Sequence, residues 1–297
     1  MKIGLVLAGG GARGAYQIGV WKALIELGID KYVNAVSGTS IGALNAIMFM
    51  EGRYDLAEQF WLNITKDQIL PECQKELGIK SILFGLGARN MDFIKKHIPK
   101  AIKAGTISRE GLNEIFDKID FNLVKESKIK GYATCTRIPE LKPEYFEINN
   151  KSVEDIRKIL LATTALPIIY DSEGINDLDY VDGGVVDNVP IQPLYGEGCN
   201  IIIVVQLSKE KLVDKSMFPN THIIEIIADE ADLVDVKDML DFNIPIIKKR
   251  ISKGYMDTIY MFKPIMDISK MINNKETYNN KDNSIAERFK SVFNKKK

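Results

Sequence analysis

The chain has 297 residues, of which 45% are hydrophobic, so it can bury one large core and form one or two domains. Its 40 basic residues balance 40 acidic ones, and this neutral charge excludes a global electrostatic attraction to nucleic acid or to an anionic membrane. We therefore predict no nucleic-acid partner, and any attraction to a membrane has to be local.

The N-terminal part of the sequence contains two consecutive units of strand, glycine turn and helix. A short apolar run predicts a buried strand over residues 3–8, and apolar residues at helical spacing predict a helix over 15–27. The same order returns with a strand over 33–36 and a helix over 43–50. Successive units of this kind predict an α/β fold, with a parallel sheet and helices on both faces.

The rest of the chain continues the α/β pattern and ends in a polar tail. Further strands are predicted at residues 129–136, 145–148, 180–181, 201–207 and 223–227. From Pro264 onward lysine and asparagine become frequent and apolar residues sparser. We therefore predict an α/β domain over residues 1–262 and a polar C-terminal extension over residues 263–297, formed by a peripheral helix and a frayed end.

The sequence predicts neither a membrane span nor a secretory signal. The longest nearly apolar stretch, residues 159–170, is interrupted by Pro167 and is shorter than the ~20 residues that a spanning helix needs. Met1 and Lys2 lead directly into the first strand, without the apolar core of a signal peptide. We expect a cytoplasmic protein that contacts a membrane, if at all, at its periphery.

The cysteines Cys73, Cys135 and Cys199 are far apart in the sequence and lack the paired spacing of a zinc site or of a disulfide framework. We expect them to be reduced and buried. Because there is no cluster of histidine and cysteine, the sequence predicts no metal ion and no cofactor. It also carries no signal for an oligomeric state.

A basic stretch at residues 79–104 interrupts the pattern, inside a variable helical insertion predicted over about residues 60–125. This stretch contains six lysine and arginine residues but only one acid, Asp92, and apolar residues are interleaved with the basic ones. One interpretation is an amphipathic lid that rests on a lipid surface. The other is a helix pair that packs on the core and exposes its lysines to solvent. The residue pattern leaves both open.

Two glycine turns, each between a predicted strand and a predicted helix, indicate a serine hydrolase site. The second turn, Gly38-Thr39-Ser40-Ile41-Gly42, fits a nucleophile elbow, in which flanking glycines remove side chains that would clash around the bend at Ser40. The first turn, Gly9-Gly10-Gly11-Ala12-Arg13-Gly14, offers a row of backbone N–H groups to an oxyanion.

The first turn also matches the dinucleotide-binding pattern Gly-x-Gly-x-x-Gly. That pattern requires an acid about 20 residues further on, at the end of the second strand. Asp30 precedes this strand, and the Ser40 turn occupies its end instead. A phosphate-binding P-loop would need Gly-Lys-Ser or Gly-Lys-Thr after the glycines, which is absent. The hydrolase interpretation is therefore favoured.

The base that would activate Ser40 is not obvious, because the chain has only two histidines, His97 and His222. The order Ser40, Asp182, His222 formally matches an α/β-hydrolase triad, but His222 starts a predicted strand and does not lie on a loop after the last strand. A carboxylate is the alternative. Asp182 precedes two glycines that would let the backbone and a substrate approach closely, yet Asp179 and Asp187 are not excluded by spacing alone.

Three motifs together resemble, in the same order, those of the patatin-like phospholipase family. They are Gly9-Gly10-Gly11-Ala12-Arg13-Gly14, Gly38-Thr39-Ser40-Ile41-Gly42 and Asp182-Gly183-Gly184. The segments Ala162-Thr163-Thr164-Ala165-Leu166-Pro167 and Asn188-Val189-Pro190 are similar to that family's surroundings as well. The resemblance covers roughly residues 2–207. It implies a three-layer α/β/α fold with a central, mostly parallel sheet and an inserted helical, lid-like segment.

The resemblance also implies a lipid acyl hydrolase that uses a Ser-Asp dyad without histidine. In this chain Ser40 would attack a fatty-acyl ester, Asp182 would take its proton, and amides of Gly10, Gly11 and Ala12 would hold the oxyanion. Arg13 would fix the loop or meet a lipid phosphate. The implied partner is a lipid or ester substrate, foremost a phospholipid or lysophospholipid. An acyltransferase and a weakly catalytic, lipid-binding regulatory protein are the alternatives.

Overall fold

The computed structural model describes residues 1–69, 108–167, 169–209, 212–228 and 239–293. The basic stretch 79–104, together with His97 and Cys73, lies outside the described residues. Its role as a lid or as a membrane contact therefore stays a prediction.

The described part of the chain contains eight strands that form one sheet. They are β1 Ile3–Leu7, β2 Val33–Thr39, β3 Lys130–Ile138, β4 Lys142–Glu147, β5 Glu173–Ile175, β6 Leu178–Asp182, β7 Ile201–Gln206 and β8 His222–Ile227. The order is β5-β6-β3-β2-β1-β7-β8, and β4 pairs with β3. Strands β8, β7, β1, β2 and β3 run parallel, whereas β4, β5 and β6 are antiparallel to their neighbours. The predicted α/β fold with a mostly parallel sheet is confirmed.

The described helices are α1 Ala15–Glu26, α2 Ile41–Glu51, α3 Tyr54–Asn63, α4 Lys66–Ile69, α5 Glu110–Phe116, α6 Phe121–Glu126, α7 Val153–Thr163, α8 Gln192–Gly196 and α9 Ile244–Phe293. Helix α9 runs without a break across position 262/263, where the sequence predicts a domain boundary, and Pro264 lies inside it. The division of the chain at that point stays a prediction. None of the described helices has both the length and the hydropathy needed to cross a bilayer.

Two apolar clusters, one on each face of the sheet, produce the three layers. Alternate residues of a strand point to opposite faces, so Leu5 joins the larger cluster and Val6 the smaller one. The larger cluster lies beneath α1, α2, α7 and the start of α9. The smaller cluster lies beneath α8, which contributes Leu194. Together with the central sheet, these layers form the expected α/β/α arrangement.

Helices α1 and α9 cross closely because each has a glycine at the contact. A Cβ atom at Gly19 would collide with the carbonyl oxygen of Ile251, and one at Gly254 would collide with the carbonyl oxygen of Tyr16. The hydroxyl of Tyr16 donates to Asp257 Oδ2 at 2.8 Å. Since α1 begins directly after the first glycine turn, this packing fixes one end of that turn.

Candidate active site

Ser40 lies at the sharp bend between β2 and α2. Its φ of 55° and ψ of −126° are rare for a residue with a side chain. A Cβ atom at Gly38 would collide with the backbone of Gly42, and one at Gly42 would collide with the carbonyl oxygens of Leu7 and Ala8. The bend therefore requires glycine at both positions, which is the geometry expected of a nucleophile elbow.

Asp182 accepts a hydrogen bond from the hydroxyl of Ser40. Ser40 Oγ lies 2.6 Å from Asp182 Oδ2, and Asp182 Oδ1 accepts the N–H of Gly184 at 2.8 Å. The residue Asp182 is only 2% exposed. Burial raises the pKa of Asp182 to about 6, although the hydrogen bonds from Ser40 and Gly184 act in the opposite direction. The group is therefore ionised at neutral pH and able to accept a proton.

The sheet brings Ser40 and Asp182 together by joining two strand ends. Strands β2 and β6 approach β3 from opposite directions. Thr39 at the end of β2 pairs with Thr134, and Asp182 at the end of β6 pairs with the next residue, Cys135. Because β4 pairs with β3 over the same stretch, β2 and β6 must share the other edge of β3. Their ends therefore meet there.

The other two candidate acids are Asp179 and Asp187. Among the described residues, neither forms a hydrogen bond with Ser40. Asp179 is exposed on β6. Asp187 is occupied by structural contacts, since its carboxylate accepts the hydroxyl of Tyr145 at 2.7 Å and its carbonyl oxygen accepts the hydroxyl of Thr39 at 3.0 Å. Asp182 is thus the carboxylate that the fold sets against Ser40.

The glycines after Asp182 allow the backbone to pass close to β2 and β3. A Cβ atom at Gly183 would collide with the carbonyl oxygen of Thr134 and would lie 3.0 Å from Cγ2 of Thr39. The short 3-10 turn Gly183–Val185 then follows. As the sequence suggests, the Asp-Gly-Gly motif permits a close approach, here between the chain and its own neighbouring strands.

The first glycine turn passes directly beside Ser40. A Cβ atom at Gly9 would lie 3.3 Å from Cβ of Ser40, and the backbone of Gly9 exchanges two hydrogen bonds with Asn188 at 3.2 and 3.1 Å. Gly11 has a φ of 57° and faces the carbonyl oxygen of Met239 so closely that no side chain would fit. The turn is thus held between Ser40 and a residue that precedes the first residue of α9, Ile244.

The backbone N–H groups at the start of this turn are suited to bind an anion. Residues Gly11–Gly14 form a 3-10 turn, and Arg13 N donates to the carbonyl oxygen of Gly10 at 3.2 Å. The first N–H groups of a helix have no partner within it, which applies here to Gly11 and Ala12. The side chain of Arg13 also donates to the carbonyl oxygen of Gly10, at 3.3 Å, so it supports the loop from within.

A buried polar network, which no sequence motif indicated, ties both ends of the glycine turn together. Gln17 Nε2 donates to the carbonyl oxygen of Ala8 at 2.7 Å, before the turn. Asn45 Nδ2 donates to Gln17 Oε1 at 2.7 Å and to the carbonyl oxygen of Gly14, the last residue of the turn, at 3.0 Å. Trp61 Nε1 donates to Asn45 Oδ1 at 2.9 Å. Two amides and an indole therefore set the span of the turn.

Thr163 and Ala165 are two further residues at the site whose contacts could not be derived from the sequence. The N–H of Ser40 donates to Thr163 Oγ1, and the N–H of Asp182 donates to the carbonyl oxygen of Ala165, both at 2.9 Å. Both belong to the segment Ala162–Pro167 that contributes to the family resemblance. The resemblance marks the segment but not what it contacts.

His222 lies at the opposite end of the sheet from Ser40. It pairs with Ile201, Ile201 pairs with Ile3, and Ile3 pairs with Val33, the first residue of β2. His222 is therefore level with the start of β2, whereas Ser40 follows its end. At about 3.3 Å per residue, the two are separated by roughly 20 Å along the strands. The formal order Ser40, Asp182, His222 is thus not assembled into a triad.

Comparison with known proteins identifies similar sequences and similar solved structures. A family model described as patatin-like phospholipase matches residues 5–195. The lysophospholipase nte1 of Aspergillus terreus is 25% identical over 205 residues, which are 69% of this chain and 12% of that protein. The lysophospholipase NTE1 of Cryptococcus neoformans is 29% identical over 206 residues, 69% of this chain and 11% of that protein. The chain thus matches only a small part of the length of these relatives. VipD from Legionella pneumophila has a TM-score of 0.47 at 14% identity, covering 89% of this chain and 66% of VipD.

Proposed function

Because the chain belongs to the patatin-like phospholipase family, we propose that it hydrolyses fatty-acyl esters of lipids through an acyl-serine intermediate, with Ser40 as nucleophile and Asp182 as base. The observation that carries the proposal is the 2.6 Å hydrogen bond from Ser40 to the buried carboxylate of Asp182. A serine hydroxyl becomes an effective nucleophile only when a neighbouring group accepts its proton.

In the first half of the reaction, Ser40 Oγ attacks the ester carbonyl while its proton moves to Asp182 Oδ2. The negative charge that develops on the carbonyl oxygen is held by the N–H groups of Gly10, Gly11 and Ala12. The C–O bond of the ester then breaks, and the leaving alcohol takes the proton from Asp182. An acyl-Ser40 intermediate remains.

In the second half, water attacks the acyl carbon and gives its proton to Asp182. A second oxyanion forms at the same N–H groups. When this intermediate collapses, Ser40 leaves the acyl carbon and recovers its proton from Asp182, and the fatty acid is released. Since α2 starts directly after Ser40, the positive end of its dipole stabilises negative charge in both halves.

The raised pKa of Asp182 accounts for a dyad without histidine. An ordinary aspartate is a weaker base than histidine by about 2.6 pKa units, which corresponds to about 3.5 kcal/mol. Burial raises the pKa of Asp182 to about 6. At that value less than about 1 kcal/mol of the difference remains. A carboxylate buried away from water can therefore act as the base, the role that histidine has in other serine hydrolases.

The test is fatty-acid release from three kinds of vesicle, containing lysophosphatidylcholine, phosphatidylcholine or a diacylglycerol, with a chelator present. We expect release by the wild type and by His222→Ala, and none by Ser40→Ala or Asp182→Asn. Because two relatives are named lysophospholipases, the lysolipid is the preferred substrate in this proposal. Loss of release in His222→Ala would indicate a histidine triad and contradict the dyad. Full release by Asp182→Asn would contradict the assignment of Asp182 as the base.

The same preparation separates the two alternatives. An acyltransferase would pass the acyl group from Ser40 to glycerol or to a lysolipid, so acylated acceptor would appear in place of free fatty acid. A lipid-binding protein without useful catalysis would bind the vesicles, but a fluorophosphonate would not label Ser40. Labelling of the wild type, together with free fatty acid as the main product, supports hydrolysis.

A further inference from the structure

Thr163, the last residue of α7, has one buried hydroxyl that is hydrogen-bonded both to Ser40 and to β3. Its Oγ1 accepts the N–H of Ser40 at 2.9 Å and donates to the carbonyl oxygen of Thr134 at 2.5 Å. The side chain is completely buried. The first bond reaches the backbone of the proposed nucleophile, and the second anchors the hydroxyl to β3.

The same turn of chain also holds the proposed base. Two residues after Thr163, the carbonyl oxygen of Ala165 accepts the N–H of Asp182 at 2.9 Å. One short segment thus contacts the backbone of both members of the dyad, although they are 142 positions apart in the chain. Its conformation therefore influences how Ser40 Oγ faces the carboxylate.

Two physical reasons make a hydroxyl suitable at position 163. The group must accept from Ser40 and donate to Thr134 through the same atom, and a hydroxyl does both. In addition, the φ of 55° at Ser40 is costly for a residue with a side chain. Such conformations persist only where the surroundings constrain them from several sides. A hydrogen bond to the N–H of Ser40 supplies one of these constraints.

We propose that Thr163 is a positioning residue that holds the backbone of Ser40, so that the Ser40 hydroxyl stays directed at Asp182. This inference rests on the proposed role of Ser40 as nucleophile. Thr163 does not itself touch the reacting atoms. It acts through the N–H of Ser40.

The neighbouring residue provides a matched control for a purely structural role. Thr164 is also at the C-terminal end of α7, and its hydroxyl donates to the carbonyl oxygen of Leu160 at 2.7 Å, within its own helix. Replacing either threonine by valine keeps the shape of the side chain and removes one hydroxyl. Only the change at Thr163 removes a bond to Ser40.

The experiment compares Thr163→Val, Thr163→Ser and Thr164→Val with the wild type. The measurements are kcat and KM for the lysolipid and the rate at which a fluorophosphonate labels Ser40. We expect Thr163→Val to lower kcat and the labelling rate by about 10- to 100-fold, the effect of a small misplacement of a reacting group, with KM little changed. Thr163→Ser should restore both rates, and Thr164→Val should resemble the wild type.

A pH profile adds a signature that general destabilisation would not produce. The hydrogen bond from Ser40 lowers the pKa of Asp182. If Ser40 turns away in Thr163→Val, this contribution weakens, and the acid limb of the kcat/KM profile moves to higher pH. Thr163→Ser should show the acid limb of the wild type.

The failure of this inference can be distinguished from failure of the proposed function. If the wild type neither releases fatty acid nor reacts at Ser40, the proposed function fails, and hydrogen exchange of the Ser40 amide then tests the contact alone. We expect faster exchange in Thr163→Val than in Thr163→Ser. If the wild type is active and Thr163→Val keeps its kcat, labelling rate and amide protection, the positioning role is overturned. If Thr163→Val does not fold, Thr163→Ala is compared with Thr163→Ser in the same measurements.

Discussion

Asp182 lies directly opposite Cys135 in the sheet, and both residues are buried. Burial, together with the charge of Asp182, raises the pKa of the Cys135 thiol. The carboxylate of Asp182 is stabilised by hydrogen bonds from two neutral donors, the hydroxyl of Ser40 and the N–H of Gly184. This setting makes Asp182 a stronger base than an exposed aspartate, and it has two measurable consequences.

The first consequence concerns the rate of hydrolysis. In the proposed mechanism Asp182 must be ionised to accept the proton of Ser40, and burial raises its pKa to about 6. We therefore expect kcat/KM to fall about tenfold for each pH unit below that value and to reach a plateau above it. The measurement is kcat/KM for a soluble lysolipid between pH 4 and pH 8. His222→Ala should give the same acid limb, and an acid limb near pH 4 would contradict the raised pKa.

The second consequence concerns stability. Because the pKa of Asp182 is raised from 3.8 in the unfolded chain to about 6 in the native protein, the native state binds this proton more tightly. The stabilisation of the native state by this proton is fully present below pH 3.8 and is lost as pH rises through about 6. The difference corresponds to about 3 kcal/mol of unfolding free energy. Asp182→Asn has no such titration, so it should become more stable relative to the wild type across this range.

Denaturant unfolding at several pH values between 3.5 and 7.5 measures this difference. Asp179→Asn is the control for the amide substitution, because Asp179 lies on the same strand and is exposed. A constant stability difference between Asp182→Asn and the wild type at all pH values would show that the carboxylate is not desolvated in the native protein.

The local parts of the site could be predicted from the sequence because each lies within one short stretch. The bend at Ser40 needs glycine at positions 38 and 42 for steric reasons that depend only on neighbouring backbone. The glycines of the first turn similarly predict a row of accessible backbone N–H groups. The choice of Asp182 among three acids, by contrast, depended on family resemblance. In the structure it follows from how β2 and β6 meet on β3, which no local pattern encodes.

The rest of the site could not be predicted, because it depends on contacts between distant parts of the chain. Asn45 lies 28 positions from Gln17, and Thr163 lies 123 positions from Ser40. The sequence does not predict strand β5 either, because three residues are too few for a hydrophobic pattern. The turn between β5 and β6 does carry a local sequence signal, because Asn176 and Asp177 are residue types that tolerate positive φ. Both adopt positive φ there, as in tight hairpins.

The strained backbone at Ser40 predicts an unusual order of stability for two variants at this position. Glycine in place of alanine ordinarily destabilises a protein, because glycine has more conformational freedom when unfolded. At a φ of 55° and ψ of −126°, alanine carries the strain of a Cβ atom and glycine does not. We expect Ser40→Gly to be more stable than Ser40→Ala by about 1 kcal/mol. Thermal unfolding measures both variants, and the ordinary order, with alanine more stable, would show that the bend is relaxed.

Asn45 should contribute to both stability and reactivity, because it links the glycine turn to α1 and α3. Asn45→Ala would leave Gln17 Oε1, Trp61 Nε1 and the carbonyl oxygen of Gly14 without their bonds to Asn45. Leaving buried polar groups unpaired costs about 1–3 kcal/mol each, so a loss of at least about 2 kcal/mol is expected.

Fluorophosphonate labelling of Ser40 should slow in Asn45→Ala as well, since the turn beside Ser40 would then be anchored by Gln17 only at Ala8. Asn63→Ala is the matched control, because the Asn63 amide donates to the carbonyl oxygen of Gln59 on the exposed surface of α3. Its unfolding free energy should change by less than about 0.5 kcal/mol. Equal stability and equal labelling rates in the two variants would mean that the network does not hold the glycine turn in place.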